Sequence, residues 1–133
     1  MKLILYTDGG ARGNPGPGAI GVVIKTVHGK VVKEIGKYIG RSTNNEAEYK
    51  AVIEGLGICL AKKASELECY LDSQLVVSQL NGSFKVKDKE LKKLWEQAKA
   101  LEKSFKEVLY IHVPRIKNAQ ADSIVNEVLD SNG

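Results

Sequence analysis

The order of apolar and polar segments predicts strands first, then helices and strands in turn. Leu3, Ile4, Leu5 and Tyr6 follow one another between Lys2 and Asp8 almost without polar interruption, as in a central strand covered on both faces. β-Branched runs at Ala19 to Thr26 and Val31 to Tyr38 are joined through Val27-His28-Gly29-Lys30, a hairpin turn that leaves His28 facing solvent. Helical spacing extends from about Asn44 to Lys62, a short strand follows at Leu67 to Leu71, and a brief helix starts at Ser73 and stops near Gly82. Leu91, Leu94, Trp95, Ala98 and Leu101 then recur at three and four residues, which makes Trp95 a core anchor rather than a base-stacking platform. Val108 to Val113 reads as the final strand, Pro114 to Lys117 as a loop, and Ala119 to Leu129 as a closing helix with Asn118 at its N-cap.

Three strands followed by alternating helix and strand imply an α/β fold with a mixed sheet. An antiparallel meander comes first, and crossovers then add parallel strands beside the first one. With 133 residues, 43% of them hydrophobic and 27% charged, the chain suits one domain over residues 1–133. The N-terminus has no apolar secretory core, and no run approaches the roughly 20 apolar residues of a membrane span, so the expectation is a cytoplasmic protein with no membrane partner and a monomeric state. Cys59 lies in a helical apolar stripe and Cys69 in a strand, which makes both buried free thiols. A net charge of +4 is compatible with a polyanionic partner, though many basic proteins have none.

Four acidic residues change the picture. Asp8 follows the first strand, Glu48 lies near the start of a helix, Asp72 follows the fourth strand, and Asp122 lies in the first turns of the last helix. In open α/β sheets such ends collect on one edge, where ligands bind. Each residue has an ordinary alternative: Asp8 as a turn start, Asp72 as an N-cap, Asp122 as a helix-dipole partner, Glu48 paired with a buried cation. Together, with no evident cation nearby, they point to a site. Carboxylates about 4 Å apart repel by roughly 4 kcal/mol at an effective dielectric of 20, so clustering them has no structural benefit unless cations arrive. Oxygen-only ligands favour hard ions such as Mg²⁺, with Mn²⁺ a substitute.

Helix geometry separates the two glutamates of the first helix, which lie roughly 200° apart around it. Glu48 heads the inward stripe of Val52, Gly55 and Cys59, whereas Glu46 points outward and forms a capping box with Thr43. Glu46 therefore receives no chemistry. Asp122 shares the inward edge of its helix with Val125 and Leu129.

Five segments in order, Tyr6-Thr7-Asp8-Gly9-Gly10, Gly13-Asn14-Pro15-Gly16-Pro17-Gly18, Thr43-Asn44-Asn45 with Glu48, Asp72-Ser73-Gln74, and Asn118 with Asp122, make nearly the whole chain resemble ribonuclease H type 1, in a short form. The resemblance implies a ribonuclease H-like fold, a five-stranded mixed β-sheet of three antiparallel and two parallel strands flanked by helices. It also implies that Asp8, Glu48, Asp72 and Asp122 hold two Mg²⁺ ions, and that the chain hydrolyses the RNA strand of RNA/DNA hybrids, leaving 5′-phosphate and 3′-hydroxyl ends without sequence preference. Asn14, Asn44, Asn45 and Gln74 match positions that contact the duplex in similar enzymes, and their small polar groups suit 2′-hydroxyls in a wide, shallow minor groove. Gly9 and Gly10 either admit the RNA backbone closely or make a tight turn. Arg41 and Thr43 resemble a pocket for a DNA-strand phosphate.

The chain departs from fuller members in three places. The loop after the last strand is short and lacks the histidine that in related enzymes often helps product release, so either Arg115 substitutes by contacting the scissile phosphate or that step is slower. Asp88 stands where the phosphate pocket often has Asn, and it either repels phosphate or caps the following helix. The segment Gly82 to Asp88 is too short for the basic protrusion that grips hybrid in many members. Lys85, Lys87, Lys89, Lys92 and Lys93 form either a phosphate-tracking patch or an ordinary solvated helix face. The rival readings are a silent nucleic-acid-binding module of the same fold and a nuclease preferring double-stranded RNA.

Overall fold

The computed structural model describes residues 1–132. Its elements are β1 (Lys2–Ala11), β2 (Gly16–Thr26), β3 (Val31–Ser42), α1 (Asn44–Ala61), β4 (Glu66–Leu71), α2 (Gln74–Leu80), α3 (Lys89–Glu102), β5 (Glu107–His112), a 3-10 turn (Arg115–Asn118) and α4 (Ala119–Asn132). The five strands lie in the order β3-β2-β1-β4-β5. The β1, β2 and β3 meander is antiparallel, and β4 and β5 run parallel to β1. That is the mixed sheet the strand order predicts.

Each face of the sheet is covered by what its side chains demand. Leu3, Leu5, Leu67, Cys69 and Leu71 alternate along β1 and β4 and pack with Tyr49, Val52, Leu56 and Cys59 of α1 in the main core. Trp95 is partly buried against that core, and its indole N–H donates to the Gln79 carbonyl at 3.1 Å, as a core anchor requires. The two cysteines are buried free thiols. On the opposite face α4 lays Val125 and Leu129 against Ala19. Its approach depends on Gly21, where a Cβ would stand 2.5 Å from the Ala121 carbonyl.

The glycine-rich segment differs from expectation. β1 does not end at Asp8 but continues through Gly9, Gly10 and Ala11, paired with Ile20, Ala19 and Gly18 of β2. Gly9 and Gly10 are thus strand residues, and the turn falls at Arg12 to Pro15. Gly9 is required for another reason: a Cβ there would overlap the Ala47 carbonyl of α1. The closing helix also begins differently. Asn118 ends the 3-10 turn and is not an N-cap: its side-chain oxygen accepts no N–H of the helix, while its side-chain N–H donates to the Thr7 carbonyl at 2.8 Å.

Candidate active site

The parallel register of β1 and β4 ends at Tyr6 opposite Tyr70. Two residues further, Asp8 and Asp72 stand where those strands part. α1 supplies Glu48 from its second turn, and α4 supplies Asp122 from its first. Thr43 caps α1 through the box foreseen from spacing, accepting from Glu46 N at 3.1 Å while Glu46 Oε1 accepts from Thr43 N at 2.9 Å. The box fixes the rotation of α1, so Glu48 faces inward and is only 6% exposed.

One carboxylate oxygen from each of Asp8, Glu48 and Asp72 lies within 4.8 Å of the others. Asp122 lines the same cavity, about 440 Å³ in volume, together with Gly9, Gly10, Asn44, Asn45 and Arg115. Glu48 Oε1 accepts from Gly9 N, while its Oε2 is buried without a partner among the described residues. Asp122 Oδ1 accepts from Arg115 Nη2 at 3.1 Å.

The electrostatics follow from this crowding. Burial, and then the charge of Asp72, push the Asp8 carboxyl up to about 7. Burial and the charges of Asp8 and Asp72 hold Glu48 well above the usual carboxylate range. Asp72 is raised by burial, opposed by a hydrogen bond from Asn118. An acidic cluster so short of protein cations, with a buried oxygen unpartnered, fits a hard divalent ion.

The other predicted residues are placed as follows. Asn14 Oδ1 accepts from Asn44 N at 3.0 Å, and Asn44 Oδ1 accepts from Ala11 N at 2.9 Å. Both amides are therefore fixed, with their NH₂ groups free of partners among the described residues. Asn14, Thr43 and Asn45 line a neighbouring cavity of about 430 Å³, where Glu46, Asp88 and Glu90 put three carboxylates. Asp88 also caps α3, accepting from Leu91 N at 2.9 Å. Gln74 opens α2 on the surface, next to Ser73, which lines the carboxylate cavity. Arg41 is exposed near the end of β3 and does not line that cavity. Sequence reasoning missed Arg12 and Asn126, which do line it. Asn126 lies one turn after Asp122 on α4, a signal that helical spacing contains.

A mixed sheet with a carboxylate cluster at the ends of its parallel strands defines an α/β protein whose site fits a hard cation. Residues 6–128 match the family model described as reverse transcriptase-like. A ribonuclease H of Clostridium botulinum is 34% identical over 97% of this chain and 96% of its own length. The ribonuclease HI of Halobacterium salinarum is 42% identical over 97% of this chain. The chain belongs to the ribonuclease H family. A crystal structure of the Halobacterium salinarum ribonuclease H1 superposes with a TM-score of 0.96 at 40% identity, covering 98% of this chain and 99% of that one. The LC11 ribonuclease H1 in complex with RNA/DNA hybrid gives 0.92 at 42% identity and 98% coverage of both. A bifunctional protein of Mycobacterium tuberculosis is 44% identical over 98% of this chain, yet the chain spans only 36% of its length. For the Halobacterium salinarum enzyme that share is 65%.

Proposed function

We propose that the chain is an endoribonuclease that hydrolyses the RNA strand of RNA/DNA hybrids, leaving 5′-phosphate and 3′-hydroxyl ends, and that it works as a cytoplasmic monomer. The observation that carries this reading is the convergence of Asp8, Glu48 and Asp72 in one cavity with an unpartnered Glu48 oxygen. Two Mg²⁺ ions, with Mn²⁺ as substitute, would be held by Asp8, Glu48, Asp72 and Asp122, supplying the positive charge that activates water and stabilises the departing 3′ oxygen.

The chain's own groups do the rest. The Gly9 amide fixes Glu48 through Oε1 and leaves Oε2 for the cation. Asn118, 1% exposed, ties Thr7 of β1 to the start of α4 and so holds together the elements that carry Asp8 and Asp122. The held amides of Asn14 and Asn44 offer donors without reorganisation, as the 2′-hydroxyls and acceptors of a minor groove require. Such contacts read sugar and groove shape rather than bases, so cleavage is largely independent of sequence. Arg115, paired with Asp122 and 73% exposed in its side chain, is on this reading the group that meets the phosphate from the Asp122 side. Among the described residues no helix is long and apolar enough to cross a membrane.

The test is cleavage of an end-labelled RNA strand paired with DNA, in Mg²⁺, beside the Asp72→Asn protein. Internal cuts by wild type alone support the reading. Hybrid bound but never cut, in Mn²⁺ as well, would leave a silent binding module. Preferential cutting of double-stranded RNA would reassign the substrate.

A further inference from the structure

Arg12 and Arg115 are the two cationic residues that line the carboxylate cavity. Arg115 is engaged with Asp122. Arg12 has a different partner, Asp130 near the C-terminal end of α4, whose Oδ1 accepts from Arg12 Nη2 at 2.5 Å. The two side chains are 47% and 68% exposed. An ion pair so open to water is weak and easily exchanged for another partner.

The stem of Arg12 is held far better than its head. Its N–H donates to the Pro17 carbonyl at 2.8 Å, closing the turn. Its carbonyl packs so closely on Gly16 that a Cβ there would overlap it. A rigid backbone thus presents a long side chain whose guanidinium is weakly tethered at the cavity rim. The cavity itself runs past the carboxylates to Arg12 and Asn126. A strand whose scissile phosphodiester sits at the carboxylates must continue beyond them and bring further phosphates.

Resting on the proposed function, we infer that Arg12 binds a phosphate of the cleaved strand beside the scissile one, and that Asp130 holds its guanidinium in a competing ion pair which bound nucleic acid displaces. The exchange is favourable because a guanidinium pairs with two phosphate oxygens in a bidentate, charge-assisted contact. It also releases counterions from the nucleic acid, a gain that the Asp130 pair lacks. Asp130 is then a restraint on affinity and Arg12 a positioning residue for the strand.

The experiment measures hybrid binding across a salt series in the Asp72→Asn background, with cleavage by the same variants carrying Asp72. Arg12→Ala should weaken binding about 3- to 10-fold and flatten the salt slope by about 0.9, the value of one lost phosphate contact. Asp130→Asn should tighten binding about 2- to 5-fold with a steeper slope, and the double variant should match Arg12→Ala alone. An unchanged slope for Arg12→Ala, while the parent binds and cuts hybrid, overturns the inference alone. Asp130→Asn weakening binding as Arg12→Ala does would also overturn it, since the pair would then merely fasten the turn to α4. A parent that neither binds nor cuts hybrid overturns the proposed function and this inference with it.

Discussion

Neutralising Asp8 should make the metal-free protein more stable at neutral pH while abolishing its activity. Asp8 is 7% exposed, and its carboxyl is raised from 3.8 to about 7 by burial and by Asp72. At 1.36 kcal/mol per unit, that displacement corresponds to roughly 4 kcal/mol of strain in the ionised form, a ceiling because Glu48 shares the repulsion. A folded-state value above the unfolded one gives stability that is complete below the unfolded value and lost as pH rises through about 7. The metal-free protein should therefore lose stability between about pH 4 and pH 8. Asp8→Asn keeps the shape without the charge. For a domain of this size a gain of about 2–4 kcal/mol raises the melting temperature by roughly 6–15 °C. Thermal melts in chelator at several pH values read this directly. The gap between the two proteins should be wide at about pH 8, close on acidification, and narrow when Mg²⁺ binds the wild type. Equal melting temperatures at high pH without metal, or a gap indifferent to pH, would refute the reasoning.

Glu48→Gln should abolish hybrid cleavage with folding retained, whereas Glu46→Ala should keep the cleavage mechanism intact and lower stability by about 1 kcal/mol through loss of the capping box, as urea melts would show. Gly9→Ala should destabilise the protein by about 3 kcal/mol or leave it insoluble, because the added methyl overlaps the Ala47 carbonyl; a soluble variant with wild-type melting would contradict the packing. Asn118→Ala should cost about 1–3 kcal/mol for the lost buried hydrogen bond and should also weaken Mn²⁺ binding to the free protein, measured by calorimetry.

The sequence made legible whatever depends on local period. Alternation along β1 and β4 and the stripe headed by Glu48 follow from the strand repeat and the helix repeat, so the sheet, its helices and the inward glutamate were readable. Gly9 and Gly10 were not, because glycine speaks for a turn locally, while the real constraint is the Ala47 carbonyl 38 residues later. Asn118 misled for a similar reason. It stands where a cap belongs, yet its N–H goes to Thr7, 111 residues away. The Arg12 and Asp130 pair spans 118 residues, and no spacing rule reaches that far. Asp122 was marked by its place on an apolar helix edge, but its hold by Arg115 depends on the 3-10 turn between them, which the sequence offers only as a loop.

Under the proposed function, the same crowding that strains the metal-free protein makes nucleic-acid binding inseparable from cation binding. A phosphodiester entering the cavity meets Asp8, Glu48, Asp72 and Asp122, with only Arg12 and Arg115 of opposite sign on the lining. Both guanidiniums are already paired with carboxylates. Each like-charge contact at about 4 Å opposes binding by roughly 4 kcal/mol at an effective dielectric of 20. Divalent cations remove that repulsion, since two of them cancel the four carboxylates and still offer open coordination positions to a phosphate oxygen. Linkage then requires that the factor by which the cation raises nucleic-acid affinity equals the factor by which nucleic acid raises cation affinity. A site built this way stays poorly occupied until both arrive. The destabilised carboxylates are thus what couples the two, and a protein with a relaxed, well-paired cluster in their place would be more stable and would bind neither partner strongly.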